Sequence, residues 1–404
     1  MKRQIANVNT HIFRHPFIPW GQRSYPLSLQ PDLLLDAIDL NALILNGTDT
    51  VSLLDQSAQL AETNVYTSDF SSSVDGIVAI ETVLVVNQTV GGETEALKIY
   101  ADGTGSTHRA YHLTSTGKSG STSLRFYIPS TNTNVDGFSI NSNAGLFYDG
   151  KFAILDSWIE IPNSKGLLGV TLIINQFKGS SAVFTGANDS NDDIIYIKNW
   201  EINEIAGSHF TQATAANRPI VDSATVPTQI DFTSANSEFL ENTLDVATFA
   251  AMSQGSIVSI YDSNASYQYS ITNSSASNSY FVVGTNNNTA ALWVFNQTNP
   301  IRFEVDTSPS NGDVIIWRSS GSIVDCSVNG LSAPISIVAG SDNNEGQWIS
   351  NIPTLDNMKI GALEFSSGVI YKNTTFKHLM IRSTPLTDAE SLTYANYLIQ
   401  KHSL

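Results

Sequence analysis

Residues 376–404 read FKHLMIRSTPLTDAESLTYANYLIQKHSL. Thr387 is a strong helix N-cap, and Glu390 three residues later completes a capping box. Leu392, Ala395, Tyr397 and Leu398 follow as an apolar stripe, and Lys401 supplies a basic last turn. The spacing predicts a helix over 387–401, and Pro385 marks a break just before it. Upstream, the pattern is different. Short β-type runs recur, among them Ser256–Tyr261, Tyr280–Val283, Ile301–Val305, Asp313–Arg318, Ile335–Val338 and Met358–Leu363. The same texture covers Gly76–Val86, Leu97–Tyr100, Ser123–Ile128, Gly169–Asn175 and Asp193–Ile202, with Gly, Ser, Asn and Asp between the runs. Many short strands with frequent turn signals predict a sandwich or barrel. Leu29–Leu34 reads as a short turn or helix.

Composition bounds the function. Lys and Arg total 20 against 37 Asp and Glu, a formal charge of −17. Such a chain repels phosphate backbones, so nucleic acid is not expected as a partner. Only 14% of residues are charged, and the polar surface falls to Ser, Thr and Asn, which suit strands and turns. The single cysteine, Cys326, excludes a disulfide within one chain and reads as a buried thiol. The 404 residues suggest two or three domains. No apolar run of about 18 residues occurs, so no membrane insertion is expected.

The first 25 residues are basic and aromatic, with Lys2, Arg3, Phe13, Arg14, Phe17, Trp20, Arg23 and Tyr25, and no acid precedes Asp32. Pro16, Pro19 and Pro26 oppose a long helix. An extended arm that docks on another surface fits this composition. The N-terminus lacks the apolar core of a secretory signal, so an exterior location is expected to arise by assembly.

The C-terminal stretch resembles the last strand and closing helix of laminin-G-like, concanavalin-A-like sandwich domains, which are widespread in phage structural proteins and bacterial surface proteins. Thr211-Gln212-Ala213-Thr214-Ala215-Ala216-Asn217-Arg218-Pro219 resembles a second element of the phage group. Its usual close upstream neighbour is similar to Leu33-Leu34-Leu35-Asp36-Ala37-Ile38-Asp39 with Val51-Ser52-Leu53-Leu54-Asp55-Gln56-Ser57, although Leu34 and Leu54 stand where that group has Trp. About 150 residues separate elements that should adjoin, which implies a sandwich interrupted by an inserted domain tolerated at an exposed loop. The insert itself resembles a carbohydrate-binding-module or galactose-binding-like jelly roll. The matching segments are Asp69–Gly76, Phe126–Asn132 and Asp193–Trp200. Ile77 replaces the usual Trp there, and Lys198 the usual acid.

Catalytic patterns are sparse. Glycoside hydrolysis needs two carboxyls about 5–10 Å apart. Glu201 and Glu204 lie three apart on a strand and point to opposite faces unless a bulge intervenes. Gly117-Lys118-Ser119-Gly120 lacks the closing glycine of a nucleophile elbow, and no phosphate-binding loop is present. His11 and His15 precede Pro16 and lack further metal ligands. Asp189, Asp192 and Asp193 form an oxygen-rich turn and are the calcium candidates, with Asp342-Asn343-Asn344-Glu345-Gly346 a lesser one; no other cofactor is expected. Trp293 and Trp317 lie in apolar runs and read as core, whereas Trp348 lies in the loop Asn343–Asn351. Tyr261, Tyr267, Tyr269 and Tyr280 flank polar turns that can line an exposed face. Trp348, Tyr267 and Tyr269 are therefore the expected glycan contacts.

The expectation is an all-β protein of two β-sandwich (jelly-roll) domains, one inserted in the other, with a short C-terminal α-helix. The divisions are an attachment arm over 1–25, the outer sandwich over 26–60 and 208–404, and the insert over 61–207. The expected function is non-enzymatic: a bacteriophage virion surface protein (capsid decoration, head fibre or tail-tip component), made in the host cytoplasm. Arg3, Phe13, Arg14, Phe17, Trp20 and Arg23 would attach it to capsid or tail proteins. Cell-surface glycans are the further partners, and a homo-oligomer such as a trimer suits a spike. A secreted bacterial carbohydrate-binding protein is the alternative, and a glycan-active enzyme ranks third.

Overall fold

A computed structural model describes residues 29–404 except 40–42, 47–48, 58–61, 81, 102–108, 114–118, 133–136, 143–144, 151–154, 169–170, 179–180, 183–193, 213, 225–226, 264–266, 297–298 and 340–343. The chain forms two antiparallel sandwiches, one inserted in the other, and a closing helix, Asp388–His402.

The outer sandwich pairs two sheets. One runs, in spatial order, Leu33–Asp36, His378–Arg382, Gly255–Ile260, Val314–Ser319, Val324–Val328 and Leu331–Ala333. The first strand and the last are therefore direct neighbours, in the register Leu33↔Ile381 through Asp36↔His378. This corrects the expectation of a turn or helix over Leu29–Leu34, because Leu33 already belongs to a strand. Alternation along the strands explains the rest. Leu33, Leu35, Ile257, Ile315, Trp317, Leu379 and Ile381 face the core between the sheets. Leu34, Val258, Val314, Ile316 and Met380 face the other way, onto Tyr394, Ala395 and Leu398 of the helix. Covered on both faces, these strands read as continuous apolar runs.

The helix forms where the capping box directs it. Thr387 Oγ1 accepts from the Glu390 N–H at 3.2 Å, and Glu390 Oε2 accepts from the Thr387 N–H at 2.7 Å. Burying Leu398 against the sheet contributes about 1.5–3 kcal/mol. The turn between Val324–Val328 and Leu331–Ala333 comes close beneath this helix. Gly330 sits there at φ +78°, and a Cβ would strike the Leu392 backbone. Only glycine satisfies both demands.

The second, wider sheet of the outer sandwich contains Asn299–Val305, Thr289–Asn296, Tyr280–Asn286, Tyr269–Thr272, Asn357–Ile360 and Leu240–Asn242, and continues through Asp49–Leu53 to Ile230–Phe232 and Thr374–Phe376. The strands flanking the insert are paired with each other: Leu53↔Phe210 and Ser52↔Thr211. Buried Asp55 secures that junction. Its carboxylate accepts the N–H groups of Leu34 at 3.0 Å, Ser57 at 2.8 Å and Ser208 at 2.8 Å. Its own N–H donates to His209 Nδ1 at 2.9 Å. That bond leaves the proton on Nε2, which donates to the Ile205 carbonyl at 2.9 Å. Burial keeps His209 below the ordinary histidine range, in keeping with a neutral ring.

The insert has its own core of Leu97, Ile99, Leu124, Phe126, Ile195, Ile197 and Trp200 from one sheet, met by Ala110 and Ile140 from the other. The strand Ile194–Ile205 carries two register shifts, between Lys198 and Glu201 and between Ile202 and Asn203. These bulges break the strict alternation assumed for Glu201 and Glu204, and neither glutamate is buried. Among the described residues no helix is long and apolar enough to cross a membrane.

Candidate functional site

The short strand Ile230–Phe232 pairs with Thr374–Phe376 in the register Asp231↔Thr375. Ile230, Phe232 and Phe376 enter the core, so alternation turns Asp231 and Thr375 outward. They line a groove of 610 Å³ with Asp262, Lys372 and Asn373. Thr375 ties two acids together. Its N–H donates to Asp262 Oδ2 at 3.1 Å, and its hydroxyl donates to Asp231 Oδ1 at 3.4 Å. Gln229 Nε2 adds a bond to Asp231 Oδ1 at 2.8 Å. Asp262 and Thr375 also line a second cavity of 420 Å³, beside Tyr261, Asn311 and Lys377.

Burial pushes the Asp231 carboxyl up, and the negative charges of Asp222 and Asp262 reinforce it. A carboxyl raised by folding favours the native state less as pH rises, because the unfolded chain gives up its proton first. Asp231→Asn is therefore expected to stabilise the protein at pH 7. The gain should fade as pH falls to about 3, where the carboxyl is protonated in both states. Denaturant titrations at the two pH values test this, and an equal effect at both would contradict it.

Lys372 links the groove to an aromatic surface, with its ammonium 5.9 Å from the Tyr267 ring centre. This surface is the outer face of the wide sheet. On Thr289–Asn296, Ala290, Leu292 and Val294 face the core, whereas Ala291, Trp293 and Phe295 face outward. On Tyr280–Asn286, Phe281 and Val283 face in, and Tyr280 and Val282 face out. Tyr280 and Phe295 stack with centres 4.6 Å apart, and Phe365 meets Tyr280 edge-on at 5.4 Å. Tyr267 meets Trp293 edge-on at 6.4 Å. Burial, with the neighbouring Tyr267, pushes the Tyr280 hydroxyl up to about 12. Arg302 pairs with Glu304 at 2.8 Å, and Asn286 Nδ2 donates to Glu304 at 2.6 Å. Half-buried ring faces beside carboxylate, amide and hydroxyl groups can hold a ligand that has both C–H faces and hydroxyls.

The expected glycan contacts separate. Tyr267 lies where the groove meets the aromatic face. Tyr269, two residues on, begins a strand opposite Val283 and Ile360 and is fully buried, with its ring edge-on to Phe210 at 6.2 Å. Trp348 is also fully buried, packed edge-on against Phe281 at 5.4 Å. Neither ring presents a face to a ligand, which corrects their assignment as glycan contacts: the loop that looked exposed closes over the core. Trp317 and Trp293 are both buried, as expected, Trp317 in the core between the sheets and Trp293, 9% exposed, in the outer-face cluster. Arg3, Phe13, Arg14, Phe17, Trp20 and Arg23 lie outside the described residues, as do Asp189, Asp192 and Asp193. Cys326 is buried, and burial pushes its thiol far above the usual range, which leaves it unreactive. Asp231, Asp262 and Thr375 escaped the sequence reading. The one available signal was the apolar-polar-apolar alternation of Ile230-Asp231-Phe232 facing Thr374-Thr375-Phe376.

The chain matches no protein-family model and no curated protein. Among solved structures it is similar to the CBM40 of the Ruminococcus gnavus IT-sialidase bound to alpha2,3 sialyllactose, at 17% identity and a TM-score of 0.31, over 37% of this chain and 86% of that one. It is similar also to the NanB sialidase from Streptococcus pneumoniae, at 15% identity and a TM-score of 0.30, over 37% of this chain and 25% of that one. The CBM22-1-CBM22-2 tandem domain of Paenibacillus barcinonensis Xyn10C covers more, 82% of this chain and 92% of its own length, at 11% identity and a TM-score of 0.27. Likenesses this distant carry no functional assignment.

Proposed function

We propose that the chain is a non-catalytic, glycan-contacting protein of a bacteriophage particle surface, with the outer sandwich presenting the glycan face. The observation that carries the glycan reading is the junction at Lys372 and Tyr267, where half-buried aromatic rings adjoin the Asp231–Asp262 groove. Sugar C–H faces pack on ring faces, and carboxylate, amide and hydroxyl groups take the sugar hydroxyls. Asp231 and Asp262 act here as hydrogen-bond acceptors, both held by Thr375. The particle location draws on the basic, aromatic residues 1–25 against a body of net negative charge. Weak single-site binding multiplied by copy number suits such a surface, and a trimer would supply it.

Tyr267→Ala is expected to weaken binding to the best oligosaccharide on a glycan array about tenfold, read by calorimetry, with little change in melting temperature. A wild-type chain that retains no glycan, or a variant that binds as well as wild type, would sink the glycan reading. Quantitative mass spectrometry of purified particles tests the location. Absence of the chain from particles would favour a secreted bacterial glycan-binding protein.

A further inference from the structure

We propose that Asp36, His378 and His402 form a divalent transition-metal site, zinc foremost, that clasps the closing helix to the first strand. Asp36 ends the strand Leu33–Asp36 and His378 begins the strand His378–Arg382, directly opposite in register. His402 is the last residue of the helix. One ligand atom from each converges, all within 4.8 Å of one another. The nearest approaches are 3.4 Å from Asp36 Oδ2 to His378 Nδ1 and 3.6 Å from Asp36 Oδ1 to His402 Nε2. Zinc bonds of about 2.0–2.1 Å place neighbouring ligand atoms of a tetrahedron about 3.3–3.4 Å apart. The two approaches to Asp36, one to each carboxylate oxygen, are close to such an edge, and small side-chain adjustments within the 4.8 Å cluster complete the site; two imidazoles with one carboxylate suit zinc and its late first-row neighbours.

Two further observations point to a cation. The His402 side chain is 1% exposed, its Nδ1 has no hydrogen-bond partner, and its Nε2 reaches only Asp36 Oδ1, in a long contact of 3.6 Å. A buried imidazole held by one long contact carries a desolvation penalty that a metal bond to Nε2 reduces. His378 is braced from behind: its Nε2 lies 2.8 Å from the Tyr394 hydroxyl. In the metal-free protein Nδ1–H faces Asp36 and Nε2 accepts from Tyr394; on metal binding Nδ1 gives up its proton to ligate, and Nε2–H donates to the Tyr394 oxygen, the outer hydrogen bond that orients a ligating histidine.

Lys401 is the competitor. Its ammonium lies 2.5 Å from Asp36 Oδ2, so it neutralises the carboxylate in the metal-free protein. Its side chain is 14% exposed, and the charge of Asp39 lies nearby. It can therefore swing outward as the metal enters. The occupied site holds the three protein ligands and keeps a fourth position for water.

The test is full-length protein purified without a metal-affinity step, stripped with chelator and titrated with zinc or cobalt(II). One equivalent of zinc should bind and raise the melting temperature, and cobalt should give the intense visible absorption of a tetrahedral N/O site. His402→Gln, at the helix end where folding is least at risk, should abolish the cobalt spectrum. Tyr394→Phe should weaken binding about 10- to 100-fold. Lys401→Met, which removes the competing ammonium, should tighten it. Failure of wild-type protein to bind one equivalent, or binding that His402→Gln and Lys401→Met leave unchanged, would overturn the assignment.

Discussion

Asp36→Asn is expected to cost the outer sandwich about 3–5 kcal/mol, the usual penalty for stranding one member of a buried ion pair. Asp36 is 1% exposed and faces the Lys401 ammonium, with His378 and His402 beside it. Burial alone would push its carboxyl up; the positive charge of Lys401 dominates and holds it well below the usual carboxylate range. An asparagine fills the same volume but leaves a mostly buried ammonium facing a neutral amide, a penalty relieved only as far as Lys401 can turn outward. The contact also joins residues 365 positions apart, so its loss loosens the first strand from the closing helix. Guanidinium denaturation of chelator-treated protein measures the effect. Pairing Asp36→Asn with Lys401→Met should recover much of the loss, because no charge is then left unpaired. A single-variant loss below about 1 kcal/mol would place the pair with ordinary surface ion pairs.

Trp200→Ala is expected to cost the insert about 3–5 kcal/mol and to leave the outer sandwich folded. Trp200 is fully buried at the centre of the insert core, and its indole N–H donates to Thr122 Oγ1 at 2.9 Å. The ring also meets Tyr66 edge-on at 6.0 Å and His112 at 6.4 Å. Truncation leaves a cavity and a buried hydroxyl without its donor. The insert core and the core between the outer sheets share no residue, so their unfolding should separate. Limited proteolysis of the variant should cut within residues 62–205 while fragments carrying Trp317 and Trp348 stay protected. One lowered transition for the whole chain would show the two cores to be energetically coupled.

The all-β class was legible because turn residues punctuate apolar runs along the chain, and the capping box made the closing helix legible to its first residue. What the sequence hid was which face each apolar residue meets. The run Thr289–Asn296 is apolar on both faces, since the main core lies on one side and a second cluster on the other; Trp293 is buried as expected, but in that second cluster. Trp348 read as exposed because its neighbours are Asn, Glu, Gly and Gln, yet its ring closes over Phe281. Asp36 and Lys401 illustrate a further gap. Lys401 fits a helix C-terminus on local grounds, and nothing local shows that a strand end 365 residues earlier supplies its partner. Asp231 and Asp262 drew no notice for the same reason, since only the pairing of Asp231 with Thr375 brings them to one groove.

The pairing of Leu33–Asp36 with His378–Arg382 sets an order of events during synthesis. The insert has all its strands once Ile205 has left the ribosome. The outer sandwich cannot close until the last strand and helix emerge, roughly 200 residues and about 10–40 s later at 5–20 residues per second. Through that interval Leu33 and Leu35 have no partner strand, while the finished insert already tethers the two flanking strands Asp49–Leu53 and Phe210–Thr211. The nested domain thus works as a splint, shortening the loop that the slow, long-range closure must still cover.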